Sequence, residues 1–173
     1  VSYVLKDWRN KVLASGVLQA RQAVTFEAKA QTLYFLSVPS GIVELASEGA
    51  AAAYQTNSAE GRQMHLFGKP QTLYFHVPEG VVKWSLMLSS AVPGETAKAI
   101  VTAPDGTQAA VLETTTIPAQ NIELEGKAGF WKIEIVPAAT GILDDIYLTF
   151  DKDLPPWASV DPSQLLEISP LKK

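Results

Sequence analysis

The sequence contains no cysteine, and this absence excludes several classes of protein. Without thiols there is no disulfide scaffold, no Cys-ligated zinc or iron–sulfur centre and no thiol nucleophile. Histidine is also scarce, with two among 173 residues, which excludes a His-rich metal cluster. Charged residues amount to 18% and hydrophobic residues to 47%. This balance is typical of a globular chain and is the opposite of the composition that produces disorder.

An excess of positive charge and long apolar runs are missing as well. The formal net charge of −4 offers no electrostatic footprint for a nucleic-acid backbone. No apolar run approaches the roughly 20 residues that cross a bilayer. We therefore expect neither a nucleic acid nor a membrane as a partner. The sequence starts at Val1 without an initiator methionine or a signal segment, which we interpret as a mature chain or an excised module.

The dominant pattern is an alternation of apolar and polar residues with a period of two, whereas helical periodicity is nearly absent. Alternating runs cover 23–29, 72–77, 83–88, 98–102, 109–113, 121–124, 130–136 and 145–150. Turn-forming residues separate the runs, as in Pro104-Asp105-Gly106, where proline presets φ and glycine accepts a positive φ. Many short strands, separated by turns at intervals of roughly 8–12 residues, predict an all-β protein, an antiparallel β-sandwich of the jelly-roll type.

The predicted sandwich spans residues 1–153, and residues 154–173 are expected to form an extended tail that leaves it and docks on it. Asp161 followed by Pro162 predicts one short helical turn in that tail. Residues 1–60 are either strands of the same sandwich or a separate small β-layer. We favour the first interpretation, because sixty residues alone bury only a thin core. The similarity of residues 30–41 to residues 70–80 indicates two related strand–turn units.

Recognisable catalytic motifs are absent from the sequence. There is no Gly-x-Ser-x-Gly nucleophile turn and no dinucleotide or phosphate-binding fingerprint. Glycoside hydrolysis requires two carboxyl groups about 5–10 Å apart. The acidic residues available for such a pair lie mostly at turns and strand ends, where acidic residues are ordinary. We therefore predict that the protein is not an enzyme.

Aromatic residues at outward-facing positions are the candidates for ligand binding. Flat rings stack on the C–H faces of sugars, while neighbouring polar groups bond the hydroxyls. Trp84 and Trp131 are in phase with the apolar positions and are therefore expected in the core. The candidate ligand-binding residues are Tyr74, His76, Phe130, Tyr147, Tyr54, Asn57, Arg62 and Trp157. The alternative interpretation is that these rings cover apolar surface against the tail and that His76 is a structural histidine.

A cation site is the second candidate, because hard cations take several oxygen ligands. Asp144 and Asp145 are adjacent at the start of a predicted strand, and Glu95 lies in a turn. Neighbouring strand residues point to opposite faces, so the two aspartates ligate together only if a bulge intervenes. The candidate metal ligands are Glu95, Asp144 and Asp145, and the alternative is that they are solvated acids.

Several motifs between residues 73 and 166 carry a resemblance to a known class of domain. They are YFHVPEG (74–80), WSL (84–86), GET (94–96), PDG (104–106), GFW (129–131), LDDIYL (143–148) and LPPW (154–157). They resemble accessory β-sandwich domains with a galactose-binding-like jelly roll, which occur in large secreted bacterial polysaccharide-degrading proteins. The resemblance covers a little over half of the chain.

This resemblance implies a function, a location and a cofactor. The function is that of a non-catalytic carbohydrate-binding or accessory module, with a polysaccharide or oligosaccharide and an adjacent catalytic domain as partners. The location is secreted or at the cell surface, and the cofactor is a structural calcium ion. The alternative function is that of a purely structural β-domain that docks on a neighbouring catalytic domain or subunit.

Overall fold

The computed structural model describes residues 1–7, 9–29, 34–39, 53–55, 63–155 and 157–165, and for residues 53–55 it describes the backbone alone. The chain divides into two compact units, Val1–Ala50 and Ala51–Lys173. The domain boundaries that the sequence predicts, at residues 60 and 153, remain predictions.

The first unit contains one antiparallel sheet in its described residues. Its strands are β1 (Ser2–Asp7), β2 (Val12–Val17) and β3 (Tyr34–Ser37), in the order β2-β1-β3. The Asp7 carboxylate accepts hydrogen bonds from the backbone N–H groups of Arg9 and Lys11, each at 2.9 Å. Asn10 takes a positive φ of 65° in the same turn, so the β1–β2 hairpin is closed by turn chemistry that asparagine and aspartate favour.

The prediction of a strand over residues 23–29 is wrong. Residues 22–29 form no strand and are exposed throughout. Phe26 instead packs its ring edge-on against Tyr34 at 5.2 Å, and the Lys29 N–H donates to the Tyr34 hydroxyl at 2.8 Å. Alternating residues favour a strand only where a neighbouring strand supplies cross-strand contacts. Local contacts with β3 take their place here.

The second unit contains ten strands in its described residues. They are β4 (Ala53–Gln55), β5 (Gln63–Leu66), β6 (Gln71–Val77), β7 (Lys83–Ser90), β8 (Lys98–Thr102), β9 (Gln108–Glu113), β10 (Ala119–Glu125), β11 (Gly129–Val136), β12 (Ile146–Phe150) and β13 (Trp157–Ser159). The seven runs predicted between residues 72 and 150 overlap β6 to β12. The strands form a four-stranded sheet, β10-β7-β12-β5, and a six-stranded sheet, β4-β13-β6-β11-β8-β9.

The connectivity of the second unit is that of a jelly roll. From β5 to β12 the chain alternates between the two sheets, apart from the β8–β9 hairpin. The resulting orders, β5-β12-β7-β10 and β6-β11-β8-β9, are those of an eight-stranded double Greek key. The described strands of this unit all pair antiparallel. The predicted all-β antiparallel sandwich of the jelly-roll type is therefore confirmed.

Aromatic rings from both sheets meet in the core between them. Phe75 and Trp131 come from the larger sheet, and Trp84 and Phe150 come from the smaller one. The Trp84 ring lies 5.3 Å from Phe75 and 5.0 Å from Trp131, both edge-on, and Phe150 lies 5.1 Å from Phe75. Trp84 is 1% exposed and Trp131 is 3% exposed, which confirms that both belong to the core.

The C-terminal segment contains the predicted helical turn. Pro162–Gln164 form a 3₁₀ turn, and the Asp161 carboxylate accepts from the Ser163 N–H at 2.9 Å. We expected the segment before this turn to leave the sandwich, but β13 joins the larger sheet next to β6. The strand begins after the Pro155-Pro156 pair, so each of its residues keeps an N–H for pairing. Within the described ranges, no helix has the length and apolar character needed to cross a membrane.

Candidate functional site

The predicted ligand-binding aromatics lie on the outward faces of the two sheets, on opposite sides of the sandwich. Tyr147 belongs to β12 in the smaller sheet, whereas Tyr74 and Phe130 belong to β6 and β11 in the larger sheet. The structure therefore separates these candidates into two surfaces.

The smaller sheet carries a stack of three rings with a carboxylate beside it. The His65 ring lies 4.3 Å from the Tyr147 ring, nearly parallel at 22°, and 3.9 Å from the Phe67 ring. His65 Nε2 lies 3.3 Å from an Asp145 carboxylate oxygen, and both side chains are about one-third exposed, at 35% and 36%. We call these four residues and the sheet surface around them the Tyr147 face.

Strand register brings these rings together. Met64 and Leu66 point into the core from β5, so His65 between them points outward. The same alternation turns Tyr147 outward between Ile146 and Leu148 in β12. His65 and Tyr147 are direct cross-strand partners, and side chains in that relation lie close enough to stack.

Polar side chains extend the Tyr147 face across the sheet. The next row runs from Gln63 to Thr149, Met87 and Asn121, each opposite the next. Gln63 and Asn121 are exposed, so their amides are accessible at the two edges of the sheet. The Thr149 hydroxyl is buried and has no hydrogen-bond partner among the described residues. Exposed amide groups beside exposed rings can bond the hydroxyl groups of a ligand that the rings contact, whereas the buried Thr149 hydroxyl is out of reach.

The outward side of the larger sheet carries the exposed Phe130 ring and a Lys132–Glu134 ion pair at 2.9 Å, and we call it the Phe130 face. Phe130 is 45% exposed and covers His76, its direct partner, with ring centres 5.3 Å apart. His76 is only 8% exposed, and its Nδ1 has no partner in the part of the chain that the structure describes. Val111 on the same sheet is 42% exposed. Tyr74 is half-buried opposite Lys132.

The remaining predicted ligand-binding residues are only partly described. Trp157 is half-buried two residues before Ser159, which pairs with Tyr74. The period of two in a strand therefore places Trp157 on the Phe130 face. Tyr54 stands opposite Ala158 in the sheet register, but its side chain, Asn57 and Arg62 lie outside the described residues.

A third feature is an open cleft of about 430 Å³ at one end of the sandwich. The β7–β8, β9–β10 and β11–β12 connections form it, and we call it the threonine cleft. Its hydroxyl groups come from Ser90, Thr96, Thr114, Thr115, Thr116 and Thr140. Glu95 also lines the cleft, and one of its carboxylate oxygens is buried without a hydrogen-bond partner among the described residues.

Backbone hydrogen bonds hold the walls of the threonine cleft. The Thr96 N–H donates to the Ile142 carbonyl at 2.8 Å, and the Ile142 N–H donates to the Gly94 carbonyl at 3.0 Å. The Thr96 hydroxyl donates to the Thr140 carbonyl. Our sequence analysis named only Glu95 among these residues as a candidate site residue. The run of three threonines at 114–116 between two predicted strands was the available signal, since consecutive hydroxyls in a turn offer donors and acceptors.

The three predicted metal ligands do not meet in the described structure. Asp144 and Asp145 precede β12, which begins at Ile146, and Asp145 contacts His65. Glu95 instead lines the threonine cleft. The described residues contain no group of three or more potential ligands close enough to hold a metal ion. The described side chains therefore give a calcium ion no assembled site, and calcium binding stays a prediction.

Two charged side chains at the other end of the smaller sheet, Asp151 and Lys83, make contacts between strands. Burial raises the pKa of the Asp151 carboxyl, but hydrogen bonds from the Asp153 N–H and from the Ser85 hydroxyl and N–H outweigh it and lower the pKa. The Lys83 ammonium lies 2.6 Å from the Glu123 carboxylate, and this hydrogen bond raises the Lys83 pKa. The Asp151–Ser85 contact joins the end of β12 to β7, and the Lys83–Glu123 contact joins β7 to β10.

Comparison with known proteins adds no identification. No family model matches the chain, and no curated protein is significantly similar to it. The proposed function therefore rests on the motif resemblance and on the surfaces described above.

Proposed function

We propose that the protein is a non-catalytic carbohydrate-binding or accessory module of a secreted glycan-degrading protein, and that its polysaccharide binds on the Tyr147 face. Binding uses ring stacking and hydrogen bonds to sugar hydroxyls, with no covalent step. The motif resemblance between residues 73 and 166 supports the class and the secreted location.

One observation carries the choice of surface. The ring stack of Phe67, His65 and Tyr147 lies beside the Asp145 carboxylate and the exposed amides of Gln63 and Asn121. Aromatic rings supply large apolar contact area with little loss of side-chain freedom. Asp145, Gln63 and Asn121 supply the polar contacts that select a hydroxyl-rich ligand. The Phe130 face also carries polar side chains, but its nearest charged groups, Lys132 and Glu134, pair with each other at 2.9 Å, and its exposed ring covers one buried histidine instead of extending a stack.

The Phe130 face favours a second candidate function, a domain that docks on a neighbouring catalytic domain or subunit. Phe130 and Val111 are exposed apolar residues on one sheet surface. A docking partner would contact exposed apolar side chains of this kind, although the two are not adjacent, since Val111 lies in the row of Glu134, four residues along β11 from Phe130. The two functions are compatible, because the two faces lie on opposite sides of the sandwich.

Retardation in native gels that contain plant or microbial polysaccharides tests the proposed function. We expect one class of polymer to retard the full chain. Retardation by that polymer that survives in Tyr147→Ala would reject the Tyr147 face as the binding surface. Retardation by none of the polymers would reject the carbohydrate-binding function and leave the docking function.

Calcium is a separate part of the proposal, and the same protein tests it. A structural ion that binds only the folded state raises the melting temperature as its concentration increases. We expect such a rise, and we expect Asp144→Asn to reduce it. A melting temperature that is independent of calcium and of chelator would remove calcium from the proposal.

A further inference from the structure

The outward side of the smaller sheet carries more carboxylates than cations. Lys83 is the only lysine or arginine in the described strands of this sheet. Its ammonium lies 2.6 Å from the Glu123 carboxylate, and Glu125 is its direct partner in the register of β7 and β10. All three side chains are exposed. One positive charge therefore faces two negative charges at this edge of the sheet.

Two aspartates add negative charge at opposite ends of β12. Asp145 lies beside the ring stack, and His65 offsets its charge only when the imidazole is protonated. Asp151 follows the other end of the strand, where its carboxylate accepts from the outward-facing Ser85 hydroxyl at 2.8 Å. The Asp151 pKa is lowered, so this carboxylate is ionised at neutral pH. Carboxylates therefore flank both ends of the strand that carries Tyr147.

The described lysines next to the sheet do not reverse this balance. Lys69 follows the Phe67 ring by two residues, and Asp144 lies next to the same turn, because its carbonyl accepts from the Gly68 N–H at 3.4 Å. Lys152 lies 3.2 Å from the carboxylate of the neighbouring Asp153. Each of these lysines is accompanied by an aspartate, so the excess of carboxylates remains.

These exposed groups suit hydroxyl groups and disfavour anions. An ionised carboxylate only accepts hydrogen bonds, whereas an amide both donates and accepts. Sugar hydroxyls can therefore donate to Asp145 and exchange hydrogen bonds with Gln63 and Asn121. A uronate or sulfate group is ionised at neutral pH and has no proton to donate to a carboxylate, and its charge is repelled. Repulsion of this kind excludes one class of ligand without weakening the contacts of another.

The carboxylates lie within reach of a polymer bound across the sheet. Outward-facing residues in one strand are about 6.8 Å apart, and neighbouring strands are about 4.8 Å apart. Glu123 is two such steps and two strands away from Tyr147, which corresponds to about 17 Å in a flat sheet. Exposed charges act over about 8–10 Å at physiological salt. A polymer that covers the ring stack and extends toward β10 therefore comes within this range of more than one carboxylate.

We propose that the Tyr147 face binds polysaccharides that lack anionic groups and excludes those that carry uronate or sulfate groups. This inference rests on the proposed function, because it names the class of polymer that the same surface binds. The Phe130 face would impose no such selection. Its described lysines each lie beside a glutamate, Lys132 with Glu134 and Lys98 opposite Glu113.

Calorimetric titration of the full chain with matched polymer pairs tests the exclusion. Each pair shares a backbone and differs in charge: hydroxyethyl and carboxymethyl cellulose, methyl-esterified and de-esterified homogalacturonan, and desulfated and native carrageenan. The buffer contains no added calcium, which would bridge the carboxylates of the protein and the polymer. A polymer outside these pairs that retards the protein in native gels supplies a further pair after partial oxidation of its primary alcohols to carboxylates. In every pair with a binding member, we expect the uncharged polymer to bind about tenfold more tightly than the anionic one.

Two matched variants locate the exclusion. Glu123→Lys and Glu134→Lys each reverse one charge of a surface lysine–glutamate pair, the first on the Tyr147 face and the second on the Phe130 face. We expect Glu123→Lys to strengthen binding of the anionic polymer about threefold or more, and Glu134→Lys to leave it unchanged. Binding of the uncharged polymer is expected to stay the same in both variants. Equal gains in both variants would overturn the assignment to the Tyr147 face, because the polymer would then respond to the net charge of the protein.

The possible outcomes separate the exclusion of anions from carbohydrate binding itself. Anionic polymers that bind as tightly as their uncharged counterparts, or more tightly, would overturn the exclusion while carbohydrate binding stands. Binding of neither member of any pair would reject the proposed function, and the exclusion with it. If Glu123→Lys fails to fold, the comparison within each pair still decides.

Discussion

Three glycines in the second unit make a graded test of the structure. At Gly106 the backbone has a φ of +83°, and an added Cβ would contact nothing within 4 Å. At Gly126 a Cβ would lie 2.5 Å from the carbonyl carbon of Val81 and closer still to its oxygen. At Gly141 the backbone has a φ of +89°, and a Cβ would lie 2.8 Å from the Gly94 carbonyl oxygen. An alanine therefore causes backbone strain at Gly106, steric overlap at Gly126 and both at Gly141.

The expected losses of stability follow this order. Gly106→Ala is expected to cost about 1 kcal/mol, the conformational penalty for an L residue at positive φ. Gly126→Ala is expected to cost about 3 kcal/mol, because backbone atoms must shift to relieve the overlap. Gly141→Ala combines both effects and is expected to cost about 4 kcal/mol. It also displaces the backbone that lines the threonine cleft, since the Gly94 carbonyl accepts from Ile142.

Urea unfolding followed by tryptophan fluorescence measures these losses. Trp84 and Trp131 lie in the sandwich core, so their emission reports on the second unit. Each 1 kcal/mol corresponds to about 2–4 °C of melting temperature in a chain of this size, which makes thermal unfolding a second readout. A Gly141→Ala variant as stable as Gly106→Ala would refute the close packing of the β11–β12 connection against Gly94.

Three further predictions concern charge and buried polar groups. The Asp151 pKa is lowered in the folded state, so the carboxylate stabilises the fold fully above the unfolded pKa of about 3.9, and this contribution is lost as the pH falls from there through the lower folded-state pKa. Asp151→Asn should therefore cost about 1 kcal/mol or less at neutral pH, and a loss unchanged at about pH 3 in urea titrations would contradict this. Trp131→Phe should lower the free energy of unfolding by about 1 kcal/mol more than Trp84→Phe in the same assay. The reason is that Trp131 Nε1 donates to the Lys127 carbonyl at 2.8 Å, whereas Trp84 Nε1 has no partner among the described residues. Equal losses of stability would contradict this. Glu95→Gln should raise the melting temperature of the ligand-free protein by a few degrees, about 1 kcal/mol, and a decrease would mean that the carboxylate is satisfied.

The sequence predicted the strands of the sandwich well because half-buried strands carry their own signature. Each strand from β6 to β12 has one face in the core, and its apolar residues recur with a period of two. The same rule placed Trp84 and Trp131 in the core and Phe130 on the surface. It failed over residues 23–29, where alternation exists but no described strand pairs with the segment.

The candidate site depended on information that local pattern does not contain. Tyr74 and Tyr147 look alike in sequence, since each alternates with core residues in its strand. Their strands belong to different sheets, so the two side chains lie on opposite sides of the sandwich. The contact between His65 and Tyr147 follows from the register of β5 and β12, which pairs residues that are distant in the chain. The threonine cleft likewise forms only when three connections meet.

The most direct test of the proposed function compares how two alanine variants bind the polysaccharide that retards the protein in native gels. Tyr147 and Phe130 are both outward-facing aromatics that contact a histidine, and they lie on opposite sheets. We expect Tyr147→Ala to weaken binding about tenfold and Phe130→Ala to leave it unchanged. The reverse result would place the ligand on the Phe130 face and contradict the account.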